Sequence, residues 1–199
     1  MSYAIIGFGK IGHALAKAFA RKGIEVSVVT TRNPESFAAD AAAIGRQIIP
    51  KTLTEAVKAD VIFLAVHFGS HRDVAKALPS WQGKIIVDVT NAYGVPPEEL
   101  QGQPSSKAMA KAFTGARLVK GFNHLLAATL AQDPAVPGGR RVVFLASDDD
   151  AAAAEIGTLA ESLGFSPVKL GGLSAGGLLV QARGNSWGRL IFQDLVRFD

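Results

Sequence analysis

The sequence predicts a doubly wound α/β fold, a mostly parallel sheet with a small C-terminal α/β elaboration. Three observations predict it. Short apolar runs alternate with helix-period patterns through the first half of the chain. Two of those runs, 3–6 and 61–66, are apolar throughout, as strands covered on both faces must be. The first of them passes through a glycine-rich turn directly into a helical pattern. The 199 residues read as one domain, a core over 1–92 followed by an elaboration over 93–199.

Each element has its own local reason. Tyr3-Ala4-Ile5-Ile6 is a buried strand, and residues 10–22 follow as an alanine-rich helix stopped by Gly23. Residues 25–30 form the second strand. Asn33-Pro34 supplies an N-cap and a proline at the first helical position, opening a helix that runs to Ile44 before Gly45. A weak strand at 47–49 leads to Thr52-Leu53-Thr54-Glu55, a capping box in which the two polar side chains satisfy backbone N–H groups reciprocally. The short helix it opens ends near Asp60. Strands at 61–66 and 84–89 flank a helix over 70–78, and the Pro- and Gly-rich stretch 91–104 is a loop. Beyond it we expect a helix over 107–113, a strand at 117–120, a short helix at 127–131 and a strand at 141–146. Ser147-Asp148-Asp149-Asp150 caps a helix ending at Gly164, residues 167–170 form a last strand, and the tail from Ala175 is mixed, with helix as its main expectation.

Composition narrows the function. With 48% hydrophobic and 19% charged residues the chain is neither disordered nor a nucleic-acid coat. The net charge of +4 is modest, and Lys10, Lys17, Arg21, Lys22 and Arg32 crowd beside the glycine turn. That placement suits a small anionic ligand better than a polynucleotide, so no nucleic-acid partner is expected. The chain has no cysteine, which removes disulfides, thiolate nucleophiles and cysteine-based metal sites. No apolar stretch is long enough to span a bilayer and no signal peptide is visible, so a cytoplasmic location without membrane partners is the expectation.

Gly7-Phe8-Gly9-Lys10-Ile11-Gly12 matches G-x-G-x-x-G between a strand and a helix, inside a βαβ unit. This is the context that the Rossmann dinucleotide-binding fingerprint requires. Gly7 permits the tight turn, Gly9 lets backbone approach a diphosphate, and Gly12 allows close packing. The anion then rests on free N–H groups at the helix start. An NAD site places a carboxylate at the end of the second strand to bind the ribose 2′-hydroxyl. Here Thr30-Thr31-Arg32-Asn33 stands there instead, with no charge to repel a 2′-phosphate and a planar guanidinium to bind it. The expected cofactor is therefore NADP. Two further strand ends, Val66-His67-Phe68 and Asn91-Ala92, should border the nicotinamide half, with Asn91 equally readable as a ribose or carboxamide ligand and as a turn residue.

Other chemistries lack their residues. His67 and His71 are four apart, but no further ligand converges on them, so no metal is expected. The aspartates at 148–150 are explained by a helix start. There is no G-x-S-x-G elbow, and Tyr93 has Pro97 rather than lysine four residues on.

With the second half included, the segments Gly7 to Gly12, Thr31-Arg32-Asn33-Pro34, Val87-Asp88-Val89-Thr90-Asn91 and Val119-Lys120-Gly121-Phe122-Asn123-His124 carry a resemblance. Leu163-Gly164-Phe165 with Leu170-Gly171-Gly172-Leu173 adds to it. The chain resembles the NADPH-dependent F-420 reductase family, the coenzyme F-420-dependent NADP oxidoreductases, and also the oxidoreductase domain of the STEAP metalloreductases. The resemblance implies hydride transfer between NADPH and a deazaflavin (coenzyme F-420) or flavin, chemistry that demands ring positioning more than an acid or base. It points to Asn123 and His124 as acceptor-side candidates, His124 being equally readable as a core or loop histidine. It also implies a small-molecule redox acceptor and a homodimer, using Leu190-Ile191-Phe192 with Leu195-Val196. A non-catalytic NADP(H)-binding redox sensor is the alternative from another functional class.

Overall fold

The computed structural model describes residues 1–182 and 193–197. Its first unit is β1 (Tyr3–Ile6), α1 (Lys10–Arg21) and β2 (Val26–Val29). A 3-10 turn at Pro34–Phe37 and α2 (Ala38–Ile44) then lead to β3 (Ile48–Pro50), α3 (Leu53–Ala56) and β4 (Val61–Leu64). A second 3-10 turn, Phe68–Ser70, opens α4 (His71–Ala75), followed by β5 (Ile85–Asp88). After a long connection come α5 (Ser105–Ala112), β6 (Arg117–Gly121) and α6 (Ala127–Ala131). The chain continues through β7 (Ala135–Val136), β8 (Gly139–Ala146), α7 (Asp150–Ser162), β9 (Ser166–Lys169), α8 (Gly176–Leu179) and β10 (Asp194–Val196).

The strands form one sheet in the order β3-β2-β1-β4-β5-β6-β8-β10, with β7 and β9 also paired to β8. Neighbours from β3 to β6 are all parallel. β8 runs antiparallel to β6, which gives the sheet its elaborated edge. Alternation along each strand sorts the core into two layers. Ile5, Val28, Phe63, Val87 and Val119 face α1 and α7, while Ile6, Ile62, Leu64, Ile86 and Leu118 face α3, α4 and α5. On the first face the rings of Phe19, Phe63, Phe122 and Phe165 meet edge to face at 5.6 to 5.8 Å between centroids. That ladder accounts for Phe122, whose φ of +60° is unusual for a bulky residue. Burying its ring offsets a strained backbone that also turns the chain sharply after β6.

The parallel, doubly wound reading is what the structure has, and residues 127–131 form the helix expected of them. The capping box is present, Thr52 accepting from the Glu55 N–H and Glu55 from the Thr52 N–H. Two expectations are corrected here and one strand was missed. Residues 34–37 wind as a 3-10 turn rather than α-helix, and Asn33 makes no side-chain cap bond. The tail is not helical throughout: residues 194–196 are a strand, drawn onto β8 by its ladder and by an Arg141–Asp194 ion pair at 2.6 Å. The two-residue strand β7 went unpredicted. The proposed dimer segment Leu190-Ile191-Phe192 lies outside the described residues.

Candidate functional site

The ends of three parallel strands build the site. The Gly7 N–H donates to the Val29 carbonyl (2.9 Å) and the Ala65 N–H to the Ile6 carbonyl (2.8 Å), so the chain leaves β1, β2 and β4 side by side. The carboxyl edge of such a sheet is where α/β folds bind ligands.

The three glycines of the turn are not equivalent. Gly7 has φ +101°, and a methyl group there would lie 2.2 Å from the Ala65 carbonyl oxygen. A methyl on Gly12 would lie 2.0 Å from the Gly7 carbonyl oxygen. Both are therefore demanded by the protein's own packing. Gly9 is different. A methyl there would meet nothing within 4 Å, and its φ of −86° and ψ of −160° are extended backbone open to any residue. Nothing in the polypeptide requires glycine at position 9, so the open approach it leaves is free for a ligand.

Immediately after Gly9 the N–H groups of Lys10, Ile11 and Gly12 precede the first intrahelical bond, from the His13 N–H to the Gly9 carbonyl (2.8 Å). No acidic side chain occupies the first turn and no side chain caps it. Twelve residues of aligned peptide dipoles stand behind these donors. The side chains of Phe8 and Phe68 are buried, so only their backbone can meet a ligand, whereas Lys10 is exposed and Ile11 half-buried. His13, which the sequence reading passed over, bonds through Nδ1 to the Gly9 carbonyl (2.9 Å) and stacks on Phe8 at 3.9 Å. Its spacing of four from Gly9 on one helix face was the available signal.

At the end of β2, Thr31, Arg32 and Asn33 are exposed. The Arg32 N–H donates to Thr30 Oγ1 (2.9 Å), and the guanidinium lies 5.8 Å from the Phe37 ring centroid. That contact holds a cation beside the glycine turn without using its hydrogen-bond donors. Val66 is half-buried and His67 exposed at the neighbouring strand end. These residues fit a dinucleotide bearing a 2′-phosphate: backbone donors for the diphosphate, a bare approach at Gly9 and a guanidinium at the ribose end.

Farther along the same edge lies a buried polar network. Asp88 and Lys120 face each other across β5 and β6, 0% and 1% exposed, with Nζ to Oδ2 at 3.1 Å. Lys120 Nζ also donates to the Thr90 carbonyl, and Asp88 Oδ1 accepts from the Thr90 N–H (2.9 Å) and hydroxyl (2.7 Å). Burial pushes the Lys120 ammonium below its usual range, against the pull of Asp88. The pair fixes the turn that carries Asn91 and Ala92, both half-buried.

Asn91 donates to the Asn123 carbonyl (2.9 Å), and Asn123 Nδ2 donates to Asn91 Oδ1 (2.9 Å) and the Val180 carbonyl (2.7 Å). Asn123 is 4% exposed and its Oδ1 has no partner, so it braces the two loops against α8 rather than standing in the open. Asn91 keeps one N–H and one lone pair for a ligand. His124 packs edge-on against Phe144 at 4.7 Å with both ring nitrogens buried. Desolvation pushes its pKa down to about 4, outweighing the opposing pull of the Val142 backbone. The structure thus brings Asn91 and Asn123 together and leaves His124 half-buried with its ring nitrogens covered. Among the described residues no group of acidic or histidine side chains could hold a metal ion, and no helix is long and apolar enough to cross a membrane.

Residues 2–92 match the model of the family described as NADP oxidoreductase coenzyme F420-dependent. Rat metalloreductase STEAP3 is 30% identical over 173 residues, 86% of this chain and 34% of that protein, so the chain spans about a third of this curated relative. The structure of a hypothetical protein, SMa0349, from Sinorhizobium meliloti superposes with a TM-score of 0.90 at 36% identity, covering 100% of this chain and 96% of that one. A candidate F420-dependent NADP reductase from Arthrobacter sp. FB24 superposes with a TM-score of 0.69 at 27% identity, covering 87% and 86% of the two chains. The glycine turn and the guanidinium beside it both lie inside the segment that matches, and in it the chain resembles the coenzyme F420-dependent NADP oxidoreductases.

Proposed function

We propose that the protein is an oxidoreductase that transfers hydride between NADPH and a flavin-class acceptor, either the deazaflavin coenzyme F-420 or a flavin. The observation that carries the reading is Gly9, a glycine its own fold does not require, facing open space where a helix begins. The family match over residues 2–92 and the arginine at the end of β2 support NADP as the dinucleotide. A reduced nicotinamide bound here would supply the hydride.

The chain's own part is positioning. The N–H groups of Lys10, Ile11 and Gly12 hold the diphosphate. Arg32, with Thr31 and Asn33, binds the 2′-phosphate. The Asp88–Lys120 pair stiffens the turn that presents Asn91, whose remaining N–H and lone pair complement a carboxamide. Asn123 holds that turn against α8. Desolvation keeps His124 neutral through the physiological range. A second copy of the chain belongs to the proposal too, because Leu178, Leu179, Leu195 and Val196 are exposed apolar side chains on the elaboration. Sedimentation at micromolar concentration tests that part, with a dimer expected.

The experiment is to mix the protein with NADPH and follow reduction of coenzyme F-420, FMN and FAD separately. Turnover of at least one is expected. Tight NADPH binding with no acceptor reduced would favour the sensor and overturn the enzymatic reading.

A further inference from the structure

We infer that the cleft between α4 and α5 seats the anionic, phosphate-bearing side chain of the hydride acceptor, an inference that rests on the flavin-class reading above. The cleft has a volume of about 560 Å³, within the range of small-molecule sites. Its walls come from α4, α5 and the connection before α5. Four cations line it: Arg72 on α4, Lys76 at its C-terminal cap, and Lys107 and Lys111 on α5. Glu99 is the one opposing charge among its lining residues. Lys76 and Lys107 are partly balanced by Asp73 and Asp148 (2.8 Å each). Arg72 and Lys111 take part in none of the described ion pairs, so the cleft keeps an excess of positive charge. Its lining also includes the apolar side chains of Ala75, Leu100, Ala108 and Ala112. Cations interleaved with apolar side chains fit a ligand that carries a phosphate on a carbon chain.

Topology places this cleft beside the cofactor edge. β4, β5 and β6 are parallel, and α4 and α5 are the return connections between them. Both helices therefore start at the carboxyl edge of the sheet, where the dinucleotide site lies, and the groove between them runs away from it. The link is also direct: buried His71, in the cleft wall, bonds through Nδ1 to the carbonyl of Phe68, in the turn that ends the cofactor-facing segment after β4. A ring system held at the edge could extend its side chain into this groove. FMN ends its ribityl chain in a phosphate monoester and coenzyme F-420 carries a phosphodiester at that point; riboflavin has the same ring as FMN without a phosphate.

The test compares FMN with riboflavin on the full chain saturated with NADP, by fluorescence quenching for affinity and by NADPH-dependent reduction for rate. The variants are Arg72→Glu/Lys111→Glu and, as a milder pair, Arg72→Gln/Lys111→Gln, all at helix surfaces. Wild type is expected to bind FMN at least fivefold more tightly than riboflavin, with inorganic phosphate competing against FMN only. Charge reversal should abolish that preference, leaving riboflavin and NADPH affinity within twofold of wild type. The neutral pair should fall between. Equal affinity of wild type for FMN and riboflavin, or equal loss of both in the variants, would overturn the inference. Binding and turnover separate the two claims. A phosphate-dependent, charge-sensitive FMN affinity without turnover sinks the enzymatic reading and keeps the anion site, whereas turnover without that affinity does the reverse.

Discussion

Replacing Gly9 and Gly12 by alanine, one at a time, separates what the fold needs from what the ligand needs. At position 12 the new methyl would lie 2.0 Å from the Gly7 carbonyl oxygen and 3.5 Å from Ile5 Cγ2. Relieving the first contact requires α1 to lift from the turn by about 1 Å or more, an overpacking cost of about 2–3 kcal/mol. For a chain of this length that corresponds to a fall in Tm of roughly 5–10 °C. At position 9 the methyl meets no protein atom within 4 Å. A small loss of N-cap preference is offset by reduced freedom of the unfolded chain, so stability should change by less than about 0.5 kcal/mol. The same methyl stands where a diphosphate must come close to backbone, and about 2 kcal/mol of lost contact is about a thirtyfold loss in affinity. Thermal melting and titration calorimetry with NADPH read the two effects separately. Gly12→Ala should melt early; Gly9→Ala should melt like wild type and bind weakly. A Gly9→Ala protein that binds NADPH as tightly as wild type would refute the reasoning.

Arg32→Ala should weaken NADPH by about 1.5–3 kcal/mol, one charge-assisted interaction, and leave NADH almost unchanged; equal losses for both cofactors would remove the basis for NADP preference. Lys120→Met leaves Asp88 buried without its partner and should cost about 3–5 kcal/mol by denaturant unfolding, with Asp88→Asn/Lys120→Met costing less than the sum of the singles. His124 carries a pKa of about 4 when folded against 6.5 unfolded, so the unfolded chain binds more protons between those values. Stability supplied by its neutral form is complete above pH 6.5 and is lost as pH falls toward 4, by about 3 kcal/mol in all. His124→Leu should flatten that part of the pH profile, and an unchanged slope would place the titration elsewhere. Asp149, held down to about 2 by the Arg117 guanidinium, contributes a separate loss below 3.8.

The first half of the fold was legible because its signals are local. An apolar strand, a glycine turn and a helix occur in one run of residues, and so do the two halves of the Thr52–Glu55 capping box. β7 and β10 were illegible for the opposite reason. Two or three residues carry no periodicity, and both strands exist because the edge of β8 offers them hydrogen bonds from far away in sequence. Arg32 could be placed from its position after β2, yet the ring that steadies it, Phe37, comes from the 3-10 turn that sequence rules made into α-helix. Lys120 and Asp88 meet only through sheet register. A lysine inside an apolar strand and an aspartate ending another were a readable hint, since neither charge can be buried alone. The Asn91–Asn123 pairing and the α4–α5 cleft depend on how loops and helices pack, which no local pattern records.

A crystal structure of the chain soaked with NADPH bears hardest on this account. It should show diphosphate oxygens at about 2.7–3.2 Å from the N–H groups of Lys10 and Ile11, passing over Gly9, with the 2′-phosphate on the Arg32 guanidinium. A diphosphate seated anywhere else, or density for the adenine ribose away from the end of β2, would contradict it.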